Sequence, residues 1–145
     1  MDLIAPQILL VEDNPADAVM MQKGFAESDC KPHFVVVTDG QAEIDNLDAC
    51  LNDAQSKRPD FMFIDLDLPK IDGYGVLAHV ADHSELLSIS VFVISGHILT
   101  EVNLCAYRWQ VAHFFGKPFN LEGYGEIVEA VESLWSKRAR GLPVC

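Results

Sequence analysis

The sequence predicts a doubly wound α/β domain on a parallel sheet, and three observations carry that expectation. Runs of about four apolar residues bounded by polar ones recur along the chain, as in strands buried on both faces. Strand-like and helix-like patterns alternate from one end to the other. Three of the runs end in acid or base: Ile8-Leu9-Leu10-Val11-Glu12-Asp13, Phe61-Met62-Phe63-Ile64-Asp65-Leu66-Asp67-Leu68-Pro69 and His113-Phe114-Phe115-Gly116-Lys117-Pro118-Phe119. Alternating strands and helices require right-handed crossovers, with helices on both sheet faces. The carboxyl ends of parallel strands then share one edge, where open α/β sheets bind their ligands.

Gln7–Val11 reads as the first strand. Asn14 can cap a helix with Pro15 in its first turn, where a missing N–H costs nothing, and that helix is expected to run to residue 28. His33–Val37 is the second strand, and residues 41–54 form the second helix, ending before Pro59. Phe61–Ile64 is the third strand, followed by a loop over 69–75 punctuated by Pro69, Gly73 and Gly75 and by a helix over 75–82. Residues 89–94 make the fourth strand, 100–109 a helix capped by Thr100, and 113–115 the fifth strand. The last helix, 121–137, has the clearest period: Tyr124, Ile127, Val128, Val131, Leu134 and Trp135 form one apolar stripe that packs against the sheet. No internal repeat, low-complexity tract or linker divides the chain, so residues 1–145 read as one domain with its core over 7–137 and a short tail over 138–145.

Composition narrows the partners. Half the residues are hydrophobic and 22% are charged, as in ordinary globular proteins. With 22 acids against 10 bases, the formal charge is −12. That argues against nucleic acid or an anionic membrane surface, whose affinity comes from Lys and Arg neutralising phosphates. Cys30, Cys50, Cys105 and Cys145 show no paired spacing and no His at ligand distance, so reduced thiols are expected. Neither a signal peptide nor a run of roughly 20 apolar residues is present, and a soluble cytoplasmic protein is expected.

The charged strand ends carry the chemistry. Glu12, Asp13, Asp65 and Asp67, brought within a few ångströms, repel one another and need a counter-charge. Mg²⁺, which prefers oxygen ligands and keeps several waters, is the natural partner. Either acidic segment alone is equally well a solvated strand end. Asp65 follows Phe-Met-Phe-Ile directly, and a carboxylate so placed can form an acyl phosphate. Phosphoryl transfer needs positioning, a metal and cations that absorb developing charge. Asp13 and Asp65 would hold the metal, and Lys117 would supply the fixed positive charge or, in the resting protein, a salt bridge to a carboxylate. Ser95, after Val91-Phe92-Val93-Ile94, can donate its hydroxyl to a phosphoryl oxygen, although Ser-Gly is also an ordinary turn dipeptide. Lys117-Pro118 is an X-Pro bond, and a cis form would aim the lysine into the cleft.

Taken together, these residues resemble the receiver domain of bacterial two-component response regulators, of which the chemotaxis regulator is the stand-alone type. The resemblance spans residues 7–135 and rests on Glu12-Asp13, Asp65 with Asp67-Leu68-Pro69 and Asp72-Gly73, Ser95, and Lys117-Pro118-Phe119, in that order between those elements. It implies a flavodoxin-like five-stranded sheet in the order 2-1-3-4-5. It also implies Asp65 as phosphoacceptor, with Mg²⁺ or Mn²⁺ held by Asp13, Asp65 and the backbone carbonyl of Asp67, and with Glu12 acting through water. Ser95 and Lys117 would contact the phosphoryl group. Phe114 stands where the family often carries a switching tyrosine; without the hydroxyl, packing would have to drive the switch, and a static core aromatic is the alternative. Phosphorylation would draw Ser95 inward and let Phe114 turn behind it, changing the surface of the fourth helix, fifth strand and fifth helix.

The chain ends soon after Lys137, so output is expected through protein contact or onward transfer to a histidine phosphotransfer partner. Ile8–Asp17 and the Trp135 region resemble single-domain regulators paired with phytochrome-type histidine kinases. That likeness implies a sensor histidine kinase, a downstream protein and a homodimer through the fourth helix to fifth helix face. Leu99, Val102, Tyr107, Trp109 and Trp135 are apolar candidates for that patch, or equally for the core. Two rivals stand beside this reading. Asp65-x-Asp67 is also the nucleophile motif of haloacid-dehalogenase-type phosphatases, but there it opens the chain on the first strand. An interaction protein with a relic pocket is the other, and competent residues at all five site positions argue against it.

Overall fold

Five strands form the frame: β1 (Gln7–Val11), β2 (His33–Val37), β3 (Phe61–Ile64), β4 (Ser90–Ser95) and β5 (Val111–Gly116). The structure is a computed structural model that describes residues 5–39, 41, 42, 44, 45, 48, 59–64, 79, 89–95, 111–118 and 120–139. All strand pairs are parallel, and the order is β2-β1-β3-β4-β5, the flavodoxin-like arrangement. The order in which strands are added reverses between β1 and β3, so the carboxyl ends there open a crevice at the switch point of the sheet.

The three inner strands are sealed. Ile8 to Val11, Phe61 to Ile64 and Val91 to Val93 are each 3% exposed or less. One sheet face carries Ile8, Leu10, Phe61, Phe63, Phe92 and Ile94 and packs against the first helix (Pro15–Gly24) and the last (Gly125–Ala139). Aromatic rings dominate there: Phe63 stacks on Phe92 with centroids 5.1 Å apart, and Phe61 meets Phe92 edge-on at 5.9 Å. The predicted stripe on the last helix is this contact: Tyr124, Ile127, Val131 and Leu134 are buried, with Val128 and Trp135 partly so. Trp135 lies 6.3 Å from Phe61 between ring centroids, so it packs on the core side. The other proposed patch residues, Leu99, Val102, Tyr107 and Trp109, lie outside the described residues.

β2 and β5 are edges and look different. Val35 is 41% exposed, Val36 39% and Phe114 41%. β5 is longer than the three residues expected, because Val111 already pairs with Val91. Phe92 then faces His113, which leaves Ala112 as an extra residue, a bulge. This register turns His113 and Phe115 onto Phe92, at 5.2 and 5.8 Å between centroids, and Phe114 to the opposite face beside Val93. The static core aromatic allowed for at Phe114 is therefore not what the structure shows.

The helices start as their caps dictate and stop where packing intervenes. Asn14 Oδ1 accepts from the Ala16 and Asp17 amides at 2.9 and 3.4 Å, with Pro15 in the first turn. The first helix ends at Gly24 rather than residue 28, because the next residue, Phe25, turns its ring into the core against Phe34 and Phe63. A Cβ on Gly24 would fall 2.8 Å from Tyr124 Cβ, so the missing side chain allows the close approach of Tyr124. The last helix begins with a 3₁₀ turn, Leu121–Tyr124, capped by Asn120 Oδ1 at 3.0 Å from the Gly123 amide, and continues to Ala139. Residues 41, 42, 44, 45 and 48 of the predicted second helix are helical, as is His79 in the third. The rest of those helices, the 69–75 loop and the 100–109 helix lie outside the described residues.

Candidate phosphoryl-binding cleft

Glu12 leaves β1 as a continuation of the sheet, its amide donating to the Val37 carbonyl at 3.0 Å. That tie holds the carboxylate at the sheet edge, where the residue is only 7% exposed. The Asn14 amide donates to its Oε2 at 3.3 Å, and the Lys117 ammonium stands 3.1 Å from Oε1 and 3.2 Å from Oε2. β1 and β5 are three strand spacings apart, roughly 14 Å. Contact between residues at their ends requires the ammonium to lie over the strands between. The open cleft it enters is lined by Ile64 and Ile94 as well as Glu12, Asp17, Lys117 and Tyr124. Ile64 precedes Asp65 directly and pairs with Val11, which precedes Glu12. Ile64, the last residue of β3, therefore ends beside the acidic pair.

Lys117 has a second carboxylate. Asp17 Oδ2 lies 3.1 Å from its Nζ, reaching across from the first turn of the first helix. The two acids differ in shelter: the Glu12 side chain is 8% exposed and that of Asp17 34%. Tyr124 closes the same cleft and is itself buried. Burial first, then the Asp17 and Glu12 charges, push its hydroxyl above the ordinary tyrosine pKa, with Lys117 opposing. An ion pair as sheltered as Lys117–Glu12 is weak evidence for stability, since desolvation offsets its attraction. What the pair does do is hold the ammonium in a fixed place at the carboxyl edge of the sheet.

Of the residues expected here, Glu12 and Lys117 are brought together, and Asp13 follows Glu12 with its side chain exposed. Ser95 ends β4 opposite Gly116, so its backbone reaches the same sheet edge as Lys117. Asp65 and Asp67 lie outside the described residues, as does the side chain of Ser95. Among the described residues there is no cis peptide bond: Lys117-Pro118, a candidate for one, is trans, and the lysine reaches Glu12 all the same. That follows the ordinary preference of X-Pro bonds. Among the described residues no three His, Cys, Asp or Glu side chains gather as a metal site. The chemistry of the described donors fits Mg²⁺: Asp13 presents an exposed carboxylate one residue from the buried carboxylate of Glu12, and hard oxygen donors are what that ion prefers. Asp17 and Tyr124 were not read as site residues. The one signal for Asp17 was an acid in a first helical turn, which the helix dipole alone explains.

The chain is similar in sequence and in fold to known proteins. The model of the response regulator receiver domain matches residues 8–132. Response regulator Rcp1 of Synechocystis sp. is 31% identical over 128 residues, covering 88% of this chain and 87% of that protein. Among solved structures, the phosphorylated cyanobacterial phytochrome response regulator RcpA superposes with a TM-score of 0.77 at 33% identity, covering 93% of this chain and 96% of that one. The Mn²⁺-bound form of Rcp1 gives a TM-score of 0.74 at 31% identity, covering 90% and 94%.

Proposed function

This chain belongs to the response regulator receiver family, and on that footing we propose that it takes a phosphoryl group from a sensor histidine kinase onto Asp65 and signals through an altered protein-contacting surface. The observation that carries the proposal is the Lys117 ammonium, held at 3.1 Å from Glu12 over the ends of the inner strands. In the transfer, an Asp65 carboxylate oxygen attacks phosphorus. A P–O bond forms as the P–N bond of phosphohistidine breaks, and the electron pair leaves with the imidazole nitrogen, which takes up a proton. Lys117 absorbs charge on the phosphoryl oxygens, and the Ser95 hydroxyl donates to one of them. Asp13, Asp65 and the Asp67 carbonyl would hold Mg²⁺ or Mn²⁺, with Glu12 acting through water. The ion, when bound, neutralises the phosphoryl oxygens; a Mn²⁺-bound form of the relative Rcp1 supports this assignment.

The same reading makes the chain a signalling phosphoacceptor and not an enzyme with a small-molecule substrate. It acts as one receiver unit over residues 1–145, in the cytoplasm; no described helix is long and apolar enough to cross a membrane. The kinase is of the phytochrome type, supported by relatives described as phytochrome and bacteriophytochrome response regulators. Phe114, half open on the face away from the last helix, is the switch: it turns inward once Ser95 is drawn to the phosphoryl group. The face around it joins two copies of the chain, which sizing before and after phosphorylation would detect; a monomer in both states rejects this assembly.

Intact mass after incubation with a small phosphodonor and Mg²⁺ tests the central step. The wild type gains one phosphoryl group and Asp65→Asn gains none. Equal labelling of the two sinks the assignment of Asp65.

A further inference from the structure

Nothing in the phosphoacceptor chemistry requires Asp17, yet its carboxylate sits as close to the Lys117 ammonium as Glu12 does, 3.1 Å in each case. Glu12 is fixed by the sheet through its amide and by the Asn14 amide at its side chain. Asp17 is held by neither, and its side chain is four times as exposed as that of Glu12, 34% against 8%. A second feature faces the same spot. Tyr124 is 4% exposed and lines the same cleft as Glu12, Asp17 and Lys117. Its hydroxyl makes no hydrogen bond to a described residue, although buried tyrosine hydroxyls normally find a partner.

We propose that Asp17 is a positioning residue that competes with the phosphoryl group for Lys117. Phosphorylation exchanges one anionic partner of the lysine for another, and the released Asp17 carboxylate accepts the Tyr124 hydroxyl. The inference rests on the assignment of Asp65 as phosphoacceptor. In the resting protein the Asp17 contact pulls Lys117 toward the first helix. A phosphoryl group carries more charge and more acceptor oxygens than a carboxylate, so it wins the cation. Tyr124 lies in the 3₁₀ turn that opens the last helix, and Asp17 in the first turn of the first helix. The exchange therefore reaches two helices that pack on the same sheet face.

Binding of Mg²⁺ with beryllofluoride, an aspartyl-phosphate mimic, measures the competition. Asp17→Asn is expected to bind it about two- to fivefold more tightly than the wild type, the range of a partly exposed ion pair. Part of any such gain would come simply from removing negative charge, so Lys117 must be varied too. In a Lys117→Gln background, Asp17→Asn is expected to change affinity by less than about 1.5-fold, because the competition needs the ammonium. Asp17→Glu, which keeps the pair, restores wild-type affinity and decides the matter should Lys117→Gln fail to fold. An Asp17→Asn protein that binds no more tightly than the wild type overturns the proposal, as does an equal gain with and without Lys117. A wild type that binds no beryllofluoride and takes no phosphoryl group overturns the Asp65 assignment and this inference with it, whereas labelling at Asp65 with no effect of Asp17 overturns the inference alone.

Discussion

The inner strands β1, β3 and β4 and the edge strands β2 and β5 are made of similar apolar residues and meet opposite fates. Phe63 in β3 is fully buried between Phe92 and Phe25, whereas Phe114 in β5 is 41% exposed. The difference comes from topology: an inner strand has a neighbour on each side and cover on both faces, an edge strand only one neighbour. The cleft draws on both kinds. Glu12 and Asp13 follow sealed β1, Asp17 stands on the first helix, and Lys117 follows open β5. One half of the site is therefore set by the core, while the other follows an edge strand with a single neighbour.

The sharpest test of that contrast is one substitution made twice. Phe63→Ala should cost about 3–5 kcal/mol in denaturant unfolding, and Phe114→Ala about 1 kcal/mol or less. Equal losses would erase the distinction between the two regions. Next in size is Gly123→Ala. Its Cβ would fall 2.6 Å from Pro118 Cβ, pushing the segment that carries Lys117, and overpacking of this kind costs about 1–3 kcal/mol. If the edge half yields easily, the loss falls at the low end of that range while phosphoryl uptake drops.

The smallest effect is electrostatic. Tyr124 titrates above the ordinary value of 10.0 in the folded protein, through burial and the Asp17 and Glu12 charges. The folded state then holds its proton where the unfolded chain has released it. This contribution is complete below about pH 10 and is lost as pH rises through the folded pKa. Tyr124→Phe should flatten the alkaline limb of the stability profile and leave the neutral region unchanged. A limb that keeps its slope would mean that the cleft exerts no such pressure on the hydroxyl.

The sequence made the sealed half legible and left most of the open half hidden. β1, β2 and β3 have the bounds their apolar runs predict, because polar residues close each run sharply. The stripe on the last helix was equally plain, since one period of 3.6 accounts for every buried position. Ala112 could not be read as a bulge, because register depends on the neighbouring strand. The early end of the first helix depends on contacts of Phe25 and Gly24 with distant residues. Asp17 was invisible for the same reason: its partner lies 100 residues away, and its position has a sufficient local explanation in the helix dipole. The Lys117–Glu12 pair was anticipated only as a lysine meeting some carboxylate.

Amide hydrogen exchange before and after phosphorylation, on samples whose mass verifies a single phosphoryl group, tests the two-halves account most directly. Protection in β1 and β3 should stay the same, while residues 113–117 and Leu121–Tyr124 change severalfold. Altered exchange in β1 and β3 with β5 and the 3₁₀ turn unchanged would contradict it.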